Sequence, residues 1–335
     1  MHTSTAAIEV RGLKRHFVTT KKGPGLRGAV ASVFRPQRVT IEALAGVDLD
    51  VSSGEMVGYI GVNGAGKSTT IKLLTGILAP SEGTVRVLGR DPHVERVANA
   101  RRIGVVFGQR TQLWWDLAVS ESLTLIAKIY DVSPARYREL LARFSRTLEL
   151  DELLAKPVRT LSLGQKMRAE LAAALLHEPA VLYLDEPTIG LDVVVKDRLR
   201  AFVKEQNHAL GTTVILTTHD LGDIEELCSR VVLIDRGRIQ YDGGLDALRD
   251  RFGRQRELTF ELGRAPPAQL TLPEGVTVAF EGERRLTLRF DRTRFTAPEV
   301  TTAVMSQLDV RDFALREMDL TAIVKQLAAH GLGVT

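Results

Sequence analysis

The stretch Gly61-Val62-Asn63-Gly64-Ala65-Gly66-Lys67-Ser68 has the spacing G-x-x-x-x-G-K-[ST], which suits chemistry on a nucleotide phosphate. Glycines let the backbone bend until successive N–H groups converge on phosphate oxygens. The helix that follows adds the positive end of its dipole. Lys67 is expected to reach the terminal phosphates and Ser68 to ligate Mg²⁺, with Asn63, Ala65 and Thr69 in the same cradle. A second constellation is AVLYLDEP, Ala180–Pro187, an apolar strand that ends in two carboxylates. Asp185 at its carboxyl end is expected to hold Mg²⁺ or its water, and Glu186 to polarise an attacking water as general base. A phosphate loop by itself fits kinases, GTPases, DNA-repair motors and membrane pumps alike.

These groups need a sheet to hold them. Short β-branched runs alternate with amphipathic segments as far as residue 252, the pattern of a mostly parallel α/β sheet. Strands are predicted at Val57–Gly61, Ile103–Phe107, Val181–Asp185, Val214–Thr218 and Val231–Asp235. Helices are predicted at Lys67–Leu78, Glu121–Tyr130, Gln165–His177, Lys196–Leu210 and Leu221–Ser229. Two segments interrupt the alternation. Residues 19–40 are basic and punctuated by Gly and Pro, and read as an insertion between two early strands; residues 113–157 read as a helical lobe. From 253 to 335 the pattern becomes that of a small α+β domain: alternating strands, a helix near Pro298–Leu308, a strand near Asp309–Leu315 and a last helix at Leu320–His330.

Composition narrows the function classes. The 335 residues are 44% hydrophobic and carry a net charge of +4, a balance compatible with an anionic ligand or membrane surface that does not argue for a dedicated nucleic-acid binder. A single cysteine, Cys228, rules out an internal disulfide framework and reads as a buried small residue in a reducing compartment. No apolar run approaches the ~18 residues that span a bilayer. Work at a membrane would need another chain to supply the span.

The third motif is LSLGQ, Leu161–Gln165, where Ser162 and Gln165 have capping-box spacing ahead of a long helix. Placed just before the acidic strand, it resembles the signature motif of ABC ATPases. The family's other motifs stand in order: Phe17 in LKRHF as the adenine-stacking aromatic, Gln109 as the glutamine loop, Gly190-Leu191-Asp192 as the D-loop and His219 after TVILTT as the switch histidine. The resemblance implies an α/β P-loop NTPase of the ABC ATPase type, with a RecA-like core, a helical subdomain and an antiparallel β subdomain. One departure is Leu163, where the family most often has Gly; Ser162 and Gly164, thought to touch phosphate, are kept.

By resemblance, Ser162, Gly164 and Gln165 of a second copy close over ATP and Mg²⁺ bound to the first, in a head-to-tail dimer. Gln109, with Ser68 and Asp185, attends the metal; Asp192 couples the two sites and His219 holds the γ-phosphate in line. The motion would drive a separate polytopic membrane permease from the cytoplasmic face of the membrane. Adjacent Trp114 and Trp115 cannot both enter one core, because on a helix they lie about 100° apart, so one could anchor that partner. VFGQRTQLWWDL and DEPTIGLDVVVK look like the branch that exports drugs, viologens and similar amphiphiles. The alternative is export of a lipid-linked polysaccharide, whose ATPases carry a comparable basic insertion; here Gly28–Phe34 with Arg27, Arg35 and Arg38 would face lipid headgroups. A soluble ABC ATPase of DNA repair or translation fits less well, since the chain has no heptads, no Cys pairs and one cassette. No nucleic-acid partner is expected.

Overall fold

A computed structural model describes residues 6–21, 37–108, 110–218, 220–264, 270–281 and 284–317. The chain divides into two compact units, the first ending at Asp242 and the second starting at Gly243. The division falls ahead of the expected residue 252, because the helix Leu245–Phe252 groups with the second unit, where Arg292 bonds Asp250 at 2.6 Å.

The strands of the first unit are β1 (Ala6–Lys21), β2 (Gln37–Ser52), β3 (Met56–Ile60), β4 (Glu82–Val87), β5 (Ile103–Phe107), β6 (Val181–Asp185), β7 (Thr213–Thr217), β8 (Arg230–Asp235) and β9 (Arg238–Gly244), whose last two residues fall past the division. Its helices are α1 (Lys67–Leu74), α2 (Arg96–Ala100), α3 (Val119–Ile129), α4 (Pro134–Leu148), α5 (Leu163–Leu175), α6 (Val193–Leu210) and α7 (Leu221–Leu227). Six strands form one sheet in the order β5-β6-β7-β3-β8-β9, with parallel pairing from β5 through β8. Strands such as VLYLD and TVILT are buried almost throughout, as expected where helices cover both faces of a parallel sheet. Parallel register then delivers Phe107, Asp185 and Thr217 side by side to one edge. The second sheet, β2-β1-β4, is antiparallel. Ile71 and Leu74 of α1 share a core with Val10, Leu13 and Leu49 of this small sheet and Tyr59 and Tyr183 of the large one. Burying each such side chain contributes roughly 1.5–3 kcal/mol.

Two expectations need correction. The strand pair flanking the insertion reaches further than residues 19 and 40: Val18 pairs Thr40, Thr19 pairs Val39, and Lys21 pairs Gln37. Cross-strand partners extend a ladder through residues that read alone as loop. The remaining insertion, including Arg27, Gly28–Phe34 and Arg35, lies outside the described residues, while Arg38 continues β2 by backbone pairing. Helix α1 stops at Leu74, short of Leu78, because Gly76 at φ +75 turns the chain where a Cβ would sit 2.0 Å from the Pro92 carbonyl.

The helical lobe joins the sheet through specific contacts. Phe144 of α4 meets Phe202 of α6 edge-on at 5.5 Å, and the buried Arg168 of α5 donates to the Leu148 and Glu149 carbonyls that end α4. In the second unit, β10 (Gln255–Leu262), β11 (Thr277–Glu281), β12 (Arg285–Asp291) and β13 (Val310–Glu317) form an antiparallel sheet in the order β11-β12-β10-β13. Helix α8 (Leu245–Phe252) precedes it. Val300 and Val304 of α9 (Ala297–Met305) pack on Leu258, Phe260, Leu286 and Leu288. The expected helix Leu320–His330 lies outside the described residues.

Candidate active site

The phosphate loop leaves β3 at Gly61 and enters α1 at Lys67. Only glycine fits at its first position, since a Cβ on Gly61 would lie 2.1 Å from the Ile234 carbonyl. Gly66, at φ +116, is the N-cap of α1, and no side chain caps its first amides. The helix therefore presents unpaired N–H groups and the positive end of its dipole. Ala65 is buried and its carbonyl accepts the Gly237 amide at 2.9 Å, which pins the loop to the turn after β8; Asn63 stands exposed at the rim. Lys67 lies almost buried, its Nζ donating to the Gly61 and Val62 carbonyls at 2.7 and 3.2 Å. Burial lowers its pKa, against the opposing pull of Glu186 and Asp185. An anion in the loop would give that ammonium the partner its burial otherwise denies it.

The acidic strand end lies directly opposite. Asp185 Oδ1 accepts the Thr217 hydroxyl at 2.6 Å and faces Ser68 Oγ at 3.4 Å, so one hydroxyl and one carboxylate converge on a common point. That oxygen pair fits the way Mg²⁺ is held by one or two protein ligands, with phosphates and water completing its shell. Glu186 adopts φ +56, an uncommon conformation for a residue with a side chain, while its amide donates to the Thr217 carbonyl at 2.8 Å. Gly108 backs it: a Cβ there would stand 2.5 Å from the Glu186 carbonyl. Asn63, Ser68, Gly108, Asp185 and Glu186 line a cavity of about 480 Å³, together with Lys72 and Arg110. These two cations on the acidic rim were not anticipated from the sequence.

A further unanticipated residue is Asp223, fully buried in α7. It accepts the hydroxyls of Thr188 and Thr218 on one oxygen and Nε and Nη2 of Arg200, at 2.8 and 2.6 Å, on the other. Thr188 follows Glu186 closely and Thr218 adjoins His219, so one carboxylate fixes both approaches to the site. Another is Glu170, whose carboxyl burial pushes above the usual range against the hydrogen bonds of Thr111 and Gln112. Sequence offers one signal for Glu170, a lone acid in an apolar helix run, and none of that kind for Asp223, whose helix LGDIEEL carries two more acids.

The remaining predicted residues sit elsewhere. Ser162 caps α5 through the expected reciprocal pair, accepting from the Gln165 amide at 3.3 Å while Gln165 Oε1 accepts the Ser162 amide at 3.0 Å. Gly164 packs against Val195 and Leu191; Leu163 is 46% exposed and its Cδ2 abuts Gly190, at φ +72, in the D-loop. Asp192 caps α6, accepting the Val195 amide at 3.0 Å. Phe17 pairs with Ile41 and carries the Arg15 guanidinium 4.8 Å from its ring centroid. Thr69 lies half-buried on α1. None of Phe17, Ser162, Gly164, Gln165 and Asp192 lines the cavity formed by the phosphate loop and acidic strand. Gln109 and His219 lie outside the described residues.

The phosphate loop and the acidic strand end thus face one common cavity. The family model described as ABC transporter matches residues 44–189, which run from β2 through the phosphate loop, α5 and the acidic strand. The daunorubicin/doxorubicin resistance ATP-binding protein DrrA of Streptomyces peucetius is 33% identical over 293 residues, covering 86% of this chain and 88% of that protein. The chain belongs to the ABC transporter ATP-binding family. As an ABC ATPase it is an α/β P-loop NTPase that binds and hydrolyses ATP. Among solved structures, the ATP-binding subunit of an ABC transporter superposes with a TM-score of 0.61 at 30% identity, covering 74% of this chain and 93% of that one. A bacterial ABC transporter cassette solved as a dimer gives 0.58 at 25% identity, covering 71% and 98%. ABC ATPases as a family form dimers and pair with membrane subunits. No helix of this ABC ATPase among the described residues is long and apolar enough to cross a membrane.

Proposed function

We propose that this ABC ATPase is the motor subunit of an exporter, closing head to tail with a second copy over two ATP molecules and driving a separate membrane permease whose cargo is a drug or similar amphiphile. The observation that carries the reading is the division of the motif residues. Asn63, Ser68, Asp185 and Glu186 line one cavity, whereas Ser162, Gly164 and Gln165 stand at an exposed helix start away from it. A second copy would supply that helix start as the missing wall, with charge-assisted bonds to the γ-phosphate that neither copy makes alone. Ser68 and Asp185 would hold Mg²⁺, which when bound neutralises charge on the transferring phosphoryl group. Glu186 would accept a proton from the attacking water, held in place by Gly108 behind it and the Thr217 carbonyl at its amide. His219 and Gln109 would complete that water's alignment, Asp192 would carry the state of one site to the other, and Phe17 would stack on adenine. Loss of the γ-phosphate removes the bonds that joined the copies, so they part.

The exporter assignment draws on the relative from Streptomyces peucetius, whose name attaches it to daunorubicin and doxorubicin resistance and whose similarity covers most of both chains. Exposed Trp114 and Trp115, with Leu117 held to the Trp114 carbonyl by its amide at 3.2 Å, would supply an anchor for the permease. The docked assembly would place the chain at the cytoplasmic face of the membrane. The test is ATP turnover of the chain co-purified with its membrane subunit and challenged with two cargo classes. Stimulation by amphiphilic cations and indifference to lipid-linked sugars is the expected result; the reverse would reassign the cargo.

A further inference from the structure

Glu170 lies on the apolar length of α5, surrounded in sequence by alanines and leucines, yet is only 3% exposed. A carboxylate in that position is costly unless its oxygens are satisfied. They are satisfied by one short segment. The Thr111 hydroxyl donates to Oε1 and the Gln112 amide to Oε2 at 3.2 Å, while Gln112 Nε2 returns a bond to the Glu170 carbonyl at 3.2 Å. Thr111 Oγ1 also accepts the Leu113 amide at 3.1 Å, so the turn downstream of Gln109 is organised about a carboxylate that belongs to another helix. One helical turn towards the N-terminus, and so on the same face of α5, Lys166 sets its ammonium 5.3 Å from the centroid of the Trp115 ring. The Trp115 carbonyl accepts the Arg159 amide at 3.0 Å, just ahead of the Ser162 cap. The segment thus held is not core: Trp114 and Trp115 are 40% and 56% exposed.

We propose that Glu170 and Lys166 form a latch that fixes Thr111–Trp115 to the helix carrying Ser162–Gln165, so that force on the exposed tryptophans and closure of the helix start over nucleotide are one movement. The latch rests on the reading of Ser162–Gln165 as the wall that closes over ATP. Leu171, Ala172 and Ala173, the next residues of α5, are buried and apolar, so a hydrophobic residue at 170 would fill the space without a charge to satisfy. What it would not provide is a directional, two-point tie to a surface loop. Glu170 is on this view a positioning residue: it touches no phosphate and acts through the elements it joins.

Trp114 and Trp115 are the two tryptophans of the chain, so intrinsic emission reports on this segment alone. The full chain carrying Glu186→Gln is titrated with Mg-ATP while tryptophan emission and molecular mass are followed together. With the latch intact, the emission maximum shifts as the dimer forms. Adding Glu170→Ala leaves the dimer in place and removes at least half of that shift, and Lys166→Ala, at a half-buried surface position, removes a smaller share. In the nucleotide-free chain, Glu170→Ala raises acrylamide quenching of the tryptophans about twofold. Should the alanine misfold, Glu170→Gln keeps its volume and one acceptor oxygen and gives part of each effect. A full ATP-driven shift in the Glu170 variants, or unchanged quenching, overturns the latch. Failure of the intact-latch chain to dimerise would instead count against the closing-wall reading, while quenching still decides the latch.

Discussion

Lys67 shows how a single residue carries the site: an ammonium taken almost out of water, bonded to two carbonyls of its own loop and depressed in pKa by burial. Lys67→Ala removes the charge that terminal phosphates need, and ATP affinity by calorimetry is expected to fall by at least about 100-fold. Gly108→Ala is subtler. Its Cβ would force the Glu186 peptide to move, so turnover should drop by about 100-fold while ATP affinity stays within about twofold. Equal losses in both would mean that the loop rather than Glu186 had moved. Asp223→Asn takes away one of the acceptors shared by Thr188, Thr218 and Arg200, and breaking such a buried pair costs roughly 3–5 kcal/mol. Thermal unfolding should fall by roughly 5–15 °C. Lys67, Ser68, Asp185 and Glu186 were legible in the sequence because each belongs to a local pattern at a strand end. Asp223 and Glu170 were not, because their meaning lies in partners 35 and 59 residues away in the chain.

At the level of elements, what was readable was periodicity and what was not was register. The central strands fall at or within a residue of their expected places, since fully apolar runs bounded by Gly, Asp and Thr admit one reading. Strands β1 and β2 were misjudged at their distal ends, where pairing across a hairpin sustains what composition disguises as loop. The capping box at Ser162 was legible from spacing alone, whereas the seat of Leu163 on Gly190 was not. That contact ties the start of α5 to the D-loop within one chain, a role glycine at 163 could not fill. Cys228 at the end of α7 behaves as the sequence suggested. Burial pushes its thiol up to about 12. The thiolate is the reacting form, so alkylation by iodoacetamide at pH 8 should run on the order of 100-fold slower in the folded chain than in denaturant. Comparable rates would show α7 opening readily.

At the scale of the whole molecule, two units with separate cores are present, and the motif residues all lie in the first. Asn63 and Ser68 of the phosphate loop meet Asp185 and Glu186 at one cavity, which the capped start of α5 does not line. In the proposed assembly, head-to-tail pairing would resolve this with a symmetric exchange, each copy lending its α5 to the other's nucleotide. The sequence implied the pairing through family resemblance, and the proposal that Ser162 acts on a second copy's nucleotide rests on that resemblance. The most direct test is the solution mass of the Glu186→Gln chain with and without Mg-ATP, with Ser162→Arg as the variant that blocks the lent wall. Twice the monomer mass with Mg-ATP, reverting to monomer without nucleotide or with Ser162→Arg, is the expected result. A chain that binds Mg-ATP and keeps the monomer mass at every concentration would contradict it.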